Sequence, residues 1–300
     1  MAFLLSSALL LLGSPVHASP TPQSGSPSAY PQGWAVPPTD SAVVQQYIAQ
    51  IDWNWVRNNI SQTTSQYCDP ATDPESVALQ WENCWWSCNQ CRWESDVYVC
   101  PTKGEWGLTF DDGPTAATPG LLDELASDGT TATFFVTGTQ ILLFPDTLRR
   151  IANEGHEIGI HTWSHAALTT LTSDQIVAEL GWTLTIIADT LGYNPSVSLF
   201  RPPYGDVDNR VRDIAAQLAL TPALWSHDTN DWRLNEDPAN QPMLEGELDV
   251  IVQKAWGLDT GIVTLQHDST AAVVRYAIDV VLPRAKEEGF TLQSLASCRA

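Results

Sequence analysis

From about Glu105 onward, short apolar runs rich in β-branched and aromatic residues alternate with longer stretches of helical periodicity. The runs are Trp106–Phe110, Ala132–Val136, Glu157–Ile160, Val197–Phe200, Pro222–Trp225, Gly261–Leu265 and Phe290–Leu295, and each predicts a strand. Helical spacing falls on Pro119–Ser127, Pro145–Asn153, Ser173–Leu191, Asp208–Leu218, Glu245–Trp256 and Ala272–Glu288. The third of these has the clearest boundaries, with Thr172 and Gln175 forming a capping box and Gly192 following the last turn. Strands alternating with helices predict a parallel sheet, closed or nearly closed, and so an α/β fold of the distorted (β/α)7 barrel type. Chemistry in such a barrel belongs on loops at the C-terminal ends of the strands.

The first third of the chain lacks this alternation. Phe3 to Leu12 is apolar, and Val16-His17-Ala18 is a small-residue cleavage pattern, so residues 1–18 read as a secretory signal, although no Lys or Arg precedes the run. Residues 19–40 are rich in Pro and Ser, as a flexible linker or arm would be. Residues 41–100 are rich in Trp and Cys and read as a cross-linked N-terminal extension rather than an independent core. Of the six cysteines, five lie between Cys68 and Cys100 and the sixth is Cys298. The Cys84/Cys88/Cys91 spacing is compatible with zinc, but no histidine flanks it; an even count in an exported chain favours disulfides. The pairing stays open, with Cys298 expected to tie the last strand to the N-terminal region. Asn59-Ile60-Ser61 is a glycosylation sequon. No later segment is apolar and long enough for a membrane span, so the expected location is extracellular or in a cell wall.

The 300 residues include 35 acidic and 14 basic side chains, a formal charge of −21. Such a surface repels polyanions, which argues against nucleic acid and against an anionic membrane as partners. A neutral substrate, or one whose product becomes cationic, suits it better. Thirteen tryptophans serve packing, or offer indole faces on which pyranose rings can stack.

The reactive residue types do follow the predicted strands. After the first comes Thr109-Phe110-Asp111-Asp112-Gly113-Pro114, where one carboxylate can ligate a metal while its neighbour faces a substrate. After the third comes His161-Thr162-Trp163-Ser164-His165, two imidazoles at a spacing that lets both reach one ion. With Asp112 they make a two-nitrogen, one-oxygen set suited to Zn²⁺ or a similar divalent ion. Arg201-Pro202-Pro203-Tyr204-Gly205 follows the fourth strand; Arg201 can hold Asp111 ionised, and the Tyr204 amide can stabilise an oxyanion. Asp228-Thr229-Asn230-Asp231-Trp232 follows the fifth and Leu265-Gln266-His267-Asp268 the sixth, with Trp232 able to wall a sugar groove and His267 to act as a general acid. His156 and His227 have no such context and read as structural. No Gly-x-Ser-x-Gly elbow is present, which disfavours a serine esterase.

Together these five segments resemble the five motifs of the polysaccharide deacetylases, carbohydrate esterase family 4 (the NodB homology domain), over about residues 101–298. The leader, linker and Cys-rich segment are most similar to those of chitin deacetylases. The resemblance implies Asp111 as catalytic base, Asp112, His161 and His165 as ligands of one divalent metal (Zn²⁺, with Co²⁺ as the alternative), and Arg201 as the residue orienting the base. It implies Tyr204 in the oxyanion hole, Asp231 as partner of the acid His267, Trp232 as groove wall and Leu265 in the acetyl-methyl pocket. The implied reaction is removal of N-acetyl groups from N-acetylglucosamine units of chitin or chito-oligosaccharides, releasing acetate and leaving chitosan, by a monomeric secreted enzyme. Peptidoglycan or acetylxylan deacetylation, or a catalytically silent chitin-binding protein, are the rival readings.

Overall fold

Thr133–Val136 and Ile262–Leu265 are buried at every position, on both faces, and that is the burial a strand meets inside a parallel sheet covered by helices. The structure, a computed structural model, describes residues 29–300. The expected signal, residues 1–18, and residues 19–28 of the expected linker lie outside the described residues. Nine short strands appear among the described residues: β1 (Glu105–Gly107), β2 (Thr109–Asp111), β3 (Thr133–Val136), β4 (Glu157–Ile160), β5 (Leu199–Phe200), β6 (Thr221–Pro222), β7 (His227–Asp228), β8 (Ile262–Leu265) and β9 (Thr291–Gln293). They form two parallel sheets, β2-β3-β4-β5-β6 and β7-β8-β1-β9.

The barrel distortion begins at Leu108. The first predicted strand is two strands: β1 pairs with β8 and β9, whereas β2 pairs with β3. The Leu108 amide donates to Gln293 O at 2.8 Å and its carbonyl accepts from Thr133 N at 2.9 Å, so the chain changes partners across one residue. At the other end of β2 a bridge between Asp111 and His267 joins the two sheets. Across the gap between β6 and β7, Val97 of the extension bridges to Ala223. The predicted strand Pro222–Trp225 survives only at Pro222: the Ala223 amide makes the last bond to β5, at Phe200, and the Leu224 amide turns to the Val97 carbonyl of the extension.

Helices cover the strands much as the periodicity predicts. Ser173–Leu191 has its capping box formed in both directions and Gly192 in the left-handed conformation behind it. The last predicted helix is three pieces, Ala271–Tyr276, a π-helical turn Ala277–Val281, and Leu282–Glu287 with Pro283 in its first turn.

The extension shares the barrel's core. Val44, Tyr47, Ile51, Val56 and Trp86 are buried in the same apolar cluster as Phe110, Phe134 and Ile160. Its cysteines pair as Cys68–Cys88 and Cys84–Cys91, and Cys100–Cys298 joins the start of the barrel to its end; no cysteine is free. Residues 29–40, expected to belong to a flexible linker, are instead anchored. Tyr30 stacks on Trp163 with ring centroids 6.5 Å apart and donates to Asp189 Oδ2 at 2.7 Å, because an aromatic ring and a phenol find ready partners on the barrel wall. Asn59 of the sequon is exposed. Among the described residues no helix is long and apolar enough to cross a membrane.

Candidate active site

The five segments converge on one cleft of about 450 Å³ at the C-terminal ends of the strands. Asp111, Asp112, His161, His165, Tyr204, Trp232, Leu265 and His267 line it, together with Tyr67, Pro202, Trp225 and Asp228. Arg201 and Asp231 stand behind the wall, both buried, with the Arg201 side chain bonded to Asp111 and the Asp231 side chain to His267. Of the eight non-glycine residues with positive φ among those described, Asp112, Thr162, His165, Tyr204 and Asn230 belong to these segments. Backbone strain of this kind persists where surrounding structure enforces it, and it gathers at functional sites.

Asp112 turns away from its neighbour at φ +75°. Its Oδ1 lies 3.4 Å from His161 Nε2 and 3.3 Å from His165 Nε2. That oxygen is buried and makes no hydrogen bond. One ligand atom from each of the three residues lies within 4.8 Å of the others. His161 Nδ1 sits 2.7 Å from the Arg201 carbonyl, which can only accept, so Nδ1 carries the proton and Nε2 presents its lone pair to the cluster. Burial opposes a charge on Asp112, but His161, then His267 and His165, outweigh it and hold the carboxyl below the usual range. Burial, with His161 beside it, brings His165 down to about 4, so its imidazole is neutral at pH 7. An ionised carboxylate and two imidazole nitrogens around an unsatisfied buried oxygen fit a divalent cation.

Asp111 is fixed from behind. Arg201, fully buried, donates through Nη1 to Asp111 Oδ1 at 2.8 Å and to Thr109 Oγ1 at 2.6 Å. Its other nitrogens bond to the Ala223 and Leu224 carbonyls, and its guanidinium lies over the Phe135 ring. Asp111 therefore keeps one oxygen, Oδ2, facing the cleft, 3.9 Å from His161 Nε2.

On the other side Asp231 grips His267 twice, accepting from its backbone amide at 2.8 Å and from Nδ1 at 2.6 Å. Burial pulls the imidazole's pKa down, but the charge of Asp231 and its hydrogen bond, helped by Asp112 and Asp111, push it up to about 10. His267 thus holds its proton at neutral pH. The Tyr204 ring packs on His165 at 4.8 Å between centroids.

Four residues of the site were not singled out from the sequence. Glu179, buried in the helix Ser173–Leu191, accepts from the amides of Trp163 and Ser164 at 2.8 and 2.9 Å and from the Ser164 hydroxyl at 2.5 Å, so it clamps the turn that carries both histidines. A glutamate on an otherwise apolar face, among Ile176, Val177 and Leu180, was the available signal. Asp268 backs the Asp111–Asp112 turn, with its amide on Asp111 O and its carboxyl, pushed up to about 7 mainly by burial, bonded to Thr118. Gly113 has no Cβ there because one would lie 2.2 Å from that carboxyl. Trp225 and Tyr67 carried no local signal at all.

A barrel of parallel strands with this cleft defines a class, and residues 98–223 match the polysaccharide deacetylase family model; the chain belongs to that family. Among its relatives, chitin deacetylase 1 of Cryptococcus neoformans is 42% identical over 281 residues, 90% of this chain and 58% of that protein. Chitin deacetylase 2 of Saccharomyces cerevisiae is 40% identical over 66% of this chain and 60% of its own length. The chain thus spans about three fifths of these curated relatives. Among solved structures, the chitin deacetylase of Colletotrichum lindemuthianum superposes with a TM-score of 0.62 at 27% identity, over 68% of this chain and 90% of that one. The peptidoglycan deacetylase PdaC of Bacillus subtilis gives 0.56 at 31% identity, over 67% of this chain and 92% of that one.

Proposed function

We propose that the protein removes N-acetyl groups from β-1,4-linked N-acetylglucosamine units, with chitin or its oligomers as substrate. The observation that carries this reading is the single cleft in which a three-donor cluster stands between a pinned carboxylate, Asp111, and a protonated imidazole, His267. Asp112, His161 and His165 would hold one divalent cation, Zn²⁺ or Co²⁺, which when bound supplies Lewis-acid polarisation of the amide carbonyl.

Asp111 accepts a proton from the attacking water as its oxygen bonds to the carbonyl carbon. Arg201 keeps that carboxylate ionised and aimed. The Tyr204 backbone amide donates to the tetrahedral oxyanion. His267 then protonates the nitrogen as the carbon–nitrogen bond breaks, because an amide anion leaves poorly; acetate and a glucosamine unit result. Leu265 packs against the acetyl methyl group and Trp232 against a sugar face. The net charge of −21 favours a product chain that gains ammonium groups. Three disulfides suit an extracellular or cell-wall location, and residues 101–298 act as the catalytic domain, with residues 41–100 as its brace.

A peptidoglycan strand is the second reading, favoured by the 31% identity to PdaC. The test is mass spectrometry of acetylated chitin oligomers and of peptidoglycan fragments, each with and without added Zn²⁺ or Co²⁺. Stepwise acetyl loss from the chitin oligomers, abolished by a chelator and restored by metal, is the expected result. Loss only from the peptidoglycan fragments selects the second reading, and release from neither sinks both.

A further inference from the structure

Tyr67 lies at the rim of the cleft, 69% exposed, and comes from the extension rather than the barrel. Isolated exposed aromatics are common on protein surfaces. What sets this one apart is a rigid mount on a binding cleft. Its neighbour Cys68 is bonded to Cys88 in the short helix Trp86–Asn89. That helix packs on the turn that presents Tyr204: at Gly205, φ +68°, a Cβ would lie 2.0 Å from the Trp86 ring. Before Tyr67, the Thr63 amide donates to the Thr169 carbonyl at 3.1 Å and the two hydroxyls lie 2.6 Å apart. After it, Asp73 Oδ2 accepts from the Thr64 amide at 2.7 Å, closing the loop on itself. The loop is therefore held in place by its own bonds, which spares the cost of ordering it on binding.

Tyr67 and Trp232 enter the cleft beside different members of the reacting set. Tyr67 is tied through Cys68–Cys88 to the helix packed on the Tyr204 turn, and the Tyr204 ring packs on His165. Trp232 directly follows Asp231, the partner of His267. A polymer running through the cleft meets one ring on the metal-ligand side and the other on the acid side.

We infer that Tyr67 is a stacking platform for a sugar unit flanking the one that reacts, so that the disulfide-bonded extension forms part of the substrate groove. The inference rests on the deacetylase reading above for the identity of the polymer. The ring offers a flat apolar face to a pyranose and its hydroxyl a hydrogen bond to a sugar oxygen. Short substrates that do not reach it gain nothing from it.

The experiment compares wild type with Tyr67→Ala, Tyr67→Phe and Tyr67→Trp on N-acetylglucosamine oligomers from dimer to hexamer. Binding is followed by tryptophan fluorescence and turnover by acetate release. For Tyr67→Ala the hexamer Kd and KM rise about five- to tenfold with kcat little changed, the dimer shifts far less, and Tyr67→Trp restores the length dependence. Equal parameters in wild type and Tyr67→Ala at every length overturn the platform, as does an equal loss on dimer and hexamer. A wild type that binds the hexamer through Tyr67 yet releases no acetate upholds the platform and sinks the deacetylase reading. Acetate release that ignores Tyr67 does the reverse, and neither binding nor release overturns both.

Discussion

The substitution Asp231→Asn tests how His267 keeps its proton. The imidazole lies 2.6 Å from the Asp231 carboxylate and has its pKa pushed up to about 10, from an ordinary 6.5. That difference corresponds to roughly 5 kcal/mol in favour of the imidazolium. The amide of the variant has nearly the same shape and keeps one acceptor, for Nδ1, while its NH₂ faces the His267 backbone amide that the second carboxylate oxygen had accepted. That lost bond costs the same at every pH, whereas the lost charge shows as a pH-dependent loss. Burial then works against the proton with its main opponent removed, Asp112 and Asp111 still favour it, and the pKa falls back to about 6.5. At pH 8 the protonated fraction drops from nearly all to about 3%, so acetate release falls roughly thirty-fold. At pH 6 protonation alone separates the two proteins by less than about twofold. The assay is the pH profile of kcat/KM between pH 5.5 and 9, with nitrogen NMR of the imidazole as an independent titration. A variant whose loss is the same at pH 6 and pH 8, or whose imidazole titrates where the wild type does, would refute the assignment of the raised pKa to Asp231.

Two further substitutions probe what holds the cleft. Glu179→Gln keeps an oxygen for the Trp163 and Ser164 amides but exchanges a carboxylate for a neutral acceptor and reverses the bond to the Ser164 hydroxyl; a stability loss of about 2 kcal/mol is expected. Metal retention, read by titration with Zn²⁺, should weaken about tenfold as the two histidines lose their fixed turn; a variant that melts and binds Zn²⁺ like wild type contradicts the clamp. Removing the Cys100–Cys298 bond by double replacement with Ser opens a loop of sequence separation 198. The chain-entropy relation gives a loss of about 5 kcal/mol, read from the denaturant midpoint, and an unmoved midpoint rules that contribution out.

Several elements of this protein were legible because their causes are local. The helix Ser173–Leu191 carries its start signal at Thr172 and Gln175 and its stop at Gly192, all within reach of the helix's own backbone. The paired aspartates and the His161/His165 spacing could be placed at strand ends because apolar runs stop just before them. The division of β1 from β2 at Leu108 was not legible, since it depends on which distant strands lie alongside. β7 was missed because two polar, half-buried residues make a strand only by pairing with β8.

The same divide runs through the site. Residue type and spacing nominated Asp111, Asp112, His161, His165 and His267 from the chain alone, because coordination and proton transfer need those side chains and a strand end delivers them. Their working states came from contacts far apart in sequence: Arg201 reaches Asp111 across 90 residues, Asp231 reaches His267 across 36, and Glu179 reaches back to Ser164 across 15. The cysteine pairing and the arrival of Tyr67 at the cleft are of the same kind. A sequence records what a residue can do and what its near neighbours permit. Burial, charge proximity and packing between remote segments exist only once the chain has closed on itself, so only the tertiary structure decides them.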